Sequence, residues 1–212
     1  FDPSSNSWSS AASLAKARRY HTATLLPTGR VLVAGGIDSA GADLASVEIY
    51  DPATNTWGAG PPLSATRYQH TATLLPSGKV LVAGGLTGNR ASTELYDPAT
   101  NTWALGASMV NGRFLHTAAL LPSGNVLVAG GRGFSGTGAE VYDASLNMWI
   151  AAGALGAGRY NHASSLLATG RVVVSGGQNA AGTALLASAE SFDVGLGFSD
   201  GRRPALAIVT DP

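Results

Sequence analysis

Apolar and polar positions along this chain fall into one pattern written four times. A histidine opens a short, partly alternating apolar run: HTATLL at 21–26, HTATLL at 70–75, HTAALL at 116–121 and HASSLL at 162–167. A turn follows with Pro27 and Gly29, Pro76 and Gly78, or Pro122 and Gly124; the fourth copy keeps only its glycine, Gly170. Proline presets φ, and glycine accepts the left-handed conformation that closes a tight hairpin. Next comes VLVAGG at 31–36, 80–85 and 126–131, and VVVSGG at 172–177. Such an unbroken β-branched run predicts a strand buried on both faces. After a loop of changing length, alternation returns in EIYD at 48–51, ELYD at 94–97, EVYD at 140–143 and ESFD at 190–193. A turn such as DPATNTW at 51–57 then leads into a tryptophan strand, with Asn55 or Asn101 suited to left-handed backbone.

Three markers keep the same register. They are His21, His70, His116 and His162; the glycine pairs beginning at Gly35, Gly84, Gly130 and Gly176; and Trp8, Trp57, Trp103 and Trp149. A period of roughly fifty residues indicates a β-propeller or solenoid. Four short strands per unit, with the double glycine, the downstream aromatic and the later tryptophan in that order, resemble the kelch family. The resemblance covers roughly residues 1–199. It implies an all-β propeller whose blades are four antiparallel strands around a channel.

Residues 1–17 read as a partial blade, and full repeats start near 18, 67, 113 and 159. The last copy, DVGLGFS at 193–199, has Gly197 and Ser199 where the others have asparagine and tryptophan. The tail at 200–212 reads as an exit strand or linker. Four blades are expected to form part of a six- or seven-bladed ring in a longer polypeptide. The alternative is a four-bladed ring completed by the Trp8 strand.

Composition narrows the functional classes. Formal net charge is zero and only 12% of residues are charged, so no field favours nucleic acid. The 28 glycines suit many tight turns. Cysteine is absent, which excludes disulfides and thiolate metal sites. No apolar run is long enough to span a membrane as a helix. Arginine far outnumbers lysine, and with abundant Ala and Gly this points to a GC-rich genome; together with a repeat style that resembles copper-radical oxidases, the expectation is a bacterial protein, extracellular or at the cell surface.

Four constellations carry candidate chemistry. Arg18, Arg67, Arg113 and Arg159 each lie three residues before a histidine, and Glu48, Glu94, Glu140 and Glu190 also occur once per unit. Constant register predicts a recurring structural Arg–Glu pair, with a ligand-gripping charged ring as the functional alternative. The tryptophans read as inter-blade wedges. The histidines read as structural contacts between blades, since a ligand needed once does not recur in register. Around Tyr20 and His21 the sequence also resembles the copper-ligand segment of galactose oxidase and related copper-radical oxidases. That resemblance implies an axial tyrosine and an imidazole ligand, so copper is the alternative to a chain without cofactor. No cysteine or off-register histidine completes the set.

The loops after the double glycines vary in length and chemistry, and loops on a rigid frame are where specificity resides. Asp38, Asp43, Arg90, Arg132, Phe134 and Gln178 are the candidate binding residues. Asp38 and Asp43 offer two carboxylates, fewer than a dedicated calcium site uses. The expected function is a non-catalytic scaffold for protein or glycan. The alternative is the propeller of a copper-radical oxidase or its degenerate relative.

Overall fold

The structure is a computed structural model that describes residues 1–86, 90–133 and 136–193, and the strand backbone at 208–209. Phe134 and the expected end of the last repeat at 194–199 lie outside the described residues, as does the tail apart from 208–209. Among the described residues the fold is all-β, without helix.

The first sheet comprises β1 (Thr22–Leu25), β2 (Val31–Ala34), β3 (Val47–Asp51) and β4 (Thr56–Gly60), antiparallel in chain order. The second comprises β5 (Thr71–Leu74), β6 (Val80–Ala83), β7 (Thr93–Asp97) and β8 (Thr102–Leu105). The third comprises β9 (Thr117–Leu120), β10 (Val126–Ala129), β11 (Ala139–Asp143) and β12 (Met148–Ala151). A two-stranded ribbon of β13 (Arg159–Tyr160) and β16 (Gln178–Asn179) flanks the fourth sheet. That sheet orders β14 (Ala163–Leu166), β15 (Val172–Ser175), β17 (Ala189–Phe192) and β18 (Ile208–Val209). These sheets are propeller blades. Their first strands β1, β5, β9 and β14 meet successively, and among the described residues the ring is not closed.

The unbroken apolar second strand has a direct explanation in packing. Val80 and Val82 enter a core shared with Leu32, Ala34 and Val47 of the first sheet. Leu81 and Ala83, pointing the other way, enter a core shared with Val126 and Val128 of the third. Leu127 and Ala129 then pack with Val172 and Val174 of the fourth. Each middle sheet thus supplies both its faces to separate inter-blade cores. Side chains alternate across a strand, so both sets must be apolar.

The hairpins close as expected. In the first, Gly29 at φ +79° donates to the Leu26 carbonyl at 2.9 Å, and Asn55 sits at φ +53° in the turn between β3 and β4. Antiparallel order sends the β1–β2 and β3–β4 turns to one end of each blade, the turn face. The β2–β3 loops and the connections between blades collect at the other end, the loop face.

Candidate functional site

Every repeat builds the same buried clamp at the loop end of its blade. Arg67 reaches Glu94 at 2.6 Å and donates to the Gly84 carbonyl at 2.9 Å. Arg18–Glu48, Arg113–Glu140 and Arg159–Glu190 repeat the contact at 2.6, 2.6 and 2.7 Å. All eight side chains are nearly inaccessible. Each glutamate also accepts main-chain N–H groups of the connection arriving at its blade. Ala15 donates to Glu48, Ser64 to Glu94, Val110 to Glu140 and Gly156 to Glu190, at 2.6–2.8 Å. Charge-assisted bonds on both partners offset the cost of removing them from water. The geometry leaves no open charged ring at these positions.

Between blades, three of the four clamp arginines present their carbonyls to the double glycine of the blade before. Gly36 donates to Arg67, Gly85 to Arg113 and Gly131 to Arg159, at 2.9, 2.9 and 2.8 Å. A Cβ on Gly35 or Gly84 would collide with that same carbonyl oxygen, and both lie at positive φ. The glycine pair is thus a docking point for the next repeat.

The histidines bind across the same junctions. His70 Nε2 shares a hydrogen bond with Thr22 Oγ1 at 2.9 Å, His116 with Thr71 at 3.0 Å, and His162 with Thr117 at 2.9 Å. Burial, reinforced by the Arg67 charge, lowers the pKa of His70 to about 3. Burial and the neighbouring clamp arginine likewise lower His116 well below the ordinary imidazole range and His162 to about 4. These rings are therefore neutral at pH 7. The residue before each histidine, Tyr20, Gln69, Leu115 or Asn161, is left-handed with φ of 53–58°. Gln69 donates to the Tyr20 carbonyl, Leu115 to Gln69 and Asn161 to Leu115, each at 3.1 Å. A single file of main-chain bonds runs from blade to blade.

Tryptophans secure the outer strands. Trp57, Trp103 and Trp149 donate to the carbonyls of Ala12, Pro61 and Ala107 in the incoming connections, at 2.9–3.0 Å. Each also packs on the tyrosine across the hairpin at 5.0–5.2 Å. Trp8 is 83% exposed and its ring lies 5.4 Å from that of Phe1, after the isolated Asp2–Ser7 bridge that stands outside the four sheets.

The described candidate loop residues, Asp38, Asp43, Arg90, Arg132 and Gln178, lie at the loop face with separate partners. Asp38 binds the Ala42 and Ala40 N–H groups and pairs with Lys16 at 3.2 Å; the Ala42 bond and the lysine hold its carboxyl below the usual range. Asp43 bridges Ile37 through its main chain, and Gln178 pairs with Tyr160. Arg90 lies over the Phe114 ring at 5.1 Å, and Arg132 over Tyr160 at 4.9 Å. Sequence reasoning missed Phe114 and Tyr160. The available signal was their shared position two residues before a histidine, occupied by Arg19, Tyr68, Phe114 and Tyr160 in turn.

The residues at the copper-like motif do not fit such a site. Tyr20 is half exposed beside Arg19 and Tyr68, the histidines stand one per blade, and three of them are bonded to threonine. Among the described residues no three His, Cys, Asp or Glu side chains gather as metal ligands.

Comparison with known families adds one decisive observation. The kelch motif matches residues 18–64 and 67–110. Two of the four repeats thus match the kelch motif. The two later units, beyond the matched residues, build the same clamp, double-glycine junction and histidine contact in the same order. Among curated proteins, none matches the chain.

Proposed function

We propose that this kelch chain is a non-catalytic scaffold that binds another protein through its loop face. The observation that carries the reading is a contrast within each repeat. Arg, Glu, His and the double glycine are committed to holding blades together, whereas the β2–β3 loops change length and side chains on that constant frame. A rigid frame with variable loops suits recognition, and kelch repeats commonly serve in protein binding. The function proposed here needs no cofactor. We place the protein outside the cell or at the cell surface of a bacterium, on its Arg-, Ala- and Gly-rich composition.

Photo-crosslinkers at Leu86 and Gln178 on the loop face, and at Thr28 and Thr100 on the turn face, test the reading in native extracts. Specific protein adducts are expected from the first pair alone. Adducts from the turn face alone would sink the proposal. Capture of a glycan array but no protein would replace the protein partner with a carbohydrate.

A further inference from the structure

We propose that the partner presents an acidic segment whose carboxylates seat on Arg90 and Arg132. The inference rests on the scaffold reading and specifies the chemistry of its ligand.

The chain is formally neutral, but its charges are segregated. The four buried Arg–Glu clamps cancel internally. At the turn face Asp51, Asp97 and Asp193 pair with Arg30, Lys79 and Arg171, while at the equivalent position Asn125 is uncharged and accepts from Ala144 N–H next to Asp143, so acid is in excess there. The loop face is opposite in sign. It carries Lys16, Arg19, Arg90 and Arg132 against Asp38 and Asp43, and both acids lie in the first blade's loop. Around Arg90 and Arg132 no carboxylate pairs with either guanidinium among the described residues.

Both arginines are exposed yet held in place. The Arg90 carbonyl accepts from Arg113 N–H at 3.0 Å, and Arg132 exchanges two main-chain bonds with Phe114 at 2.8 and 2.9 Å. Their guanidinium groups rest on rings of the following blade. A stacked guanidinium has one face covered and its N–H edge free, and that edge matches a carboxylate in a two-bond fork. Ordering of the side chain by stacking lowers the entropy lost when a ligand binds. The two stacks occupy equivalent junctions, second to third blade and third to fourth. A ligand that uses both must therefore be extended and carry at least two acids. This favours a peptide segment over a single small anion.

Fluorescence anisotropy of a labelled hexaglutamate peptide with the whole chain provides the test. Saturable binding at low salt is expected, weakening as salt screens it. Arg90→Ala and Arg132→Ala should each weaken binding about ten-fold, and the double variant should abolish it. Arg132→Lys should also weaken it, because an ammonium cannot form the fork. Arg30→Ala on the turn face should leave it unchanged, and thermal melts establish that every variant is folded. No binding by the wild type, or binding that survives the double variant, overturns the proposal. Tighter, equally arginine-dependent binding of a heparin-derived oligosaccharide also overturns it, in favour of an anionic glycan. If hexaglutamate fails while loop-face crosslinks persist, the acidic ligand falls and the scaffold stands.

Discussion

Glu94 shows how much a single side chain in this protein is asked to hold. It bonds Arg67 within its own blade and Ser64 N–H of the incoming connection, at 1% exposure. Glu94→Gln leaves the Arg67 charge buried without its counterion, so a loss of about 3–5 kcal/mol is expected, read from chemical denaturation. The histidines set a pH limit at the same scale. An unfolded imidazole titrates near 6.5, whereas His70 in the fold titrates at about 3. The stability carried by neutral His70 is complete above pH 6.5 and drains away as pH falls toward 3, because the unfolded chain binds the proton first. His116 acts in the same direction. The slope is roughly 1 kcal/mol per pH unit for each such group. Urea midpoints measured between pH 7 and pH 5 should fall for the wild type and fall less steeply for His70→Asn.

At the scale of the strand and its turn, the double glycine is the most constrained element. Gly84 at φ +67° lies against the Arg113 carbonyl, whereas a methyl group placed on Gly176, at the same φ, would meet only the Leu186 carbonyl at 3.7 Å. Gly84→Ala should therefore lower the melting temperature clearly more than Gly176→Ala, since both carry backbone strain but one also carries a collision. The sequence exposed part of this logic. A continuous VLVA run announces a strand with two apolar faces, and Asn55 or Gly29 announces a left-handed turn. The glycine pair, however, reads only as a strand end, because the atom that forbids a side chain belongs to the next repeat. The Arg90 and Arg132 stacks were hidden for a related reason. Their ring partners sit at a fixed register, but the arginines come from loops of unequal length, so no spacing links them.

For the whole molecule, stability is spread over successive interfaces. The three apolar cores each join two neighbouring blades, so cooperation passes between neighbours, as in a linear array. The second and third blades are covered on both faces. Val173 and Ser175 of the fourth are more exposed than Leu127 and Ala129 of the third. Amide hydrogen exchange should accordingly be slowest in β6 and β10 and faster in β15. Val128→Ala, which opens a cavity in a fully covered core, should cost about 1–3 kcal/mol and speed exchange in both adjoining blades.

The file of main-chain bonds through Tyr20, Gln69, Leu115 and Asn161 makes the repeats interchangeable parts. Each link joins a donor in one unit to an acceptor in the unit before it, with nearly the same backbone angle every time. Side-chain identity hardly enters, since tyrosine, glutamine, leucine and asparagine serve alike. Excising one whole period, residues 67–112, would bring Leu115 to the Tyr20 carbonyl, His116 to Thr22 and the Arg113 carbonyl to Gly36. Every junction would find a compatible surface. Gain and loss of entire units by gene duplication and deletion is therefore open to this architecture, while loss of a fraction of a unit is not.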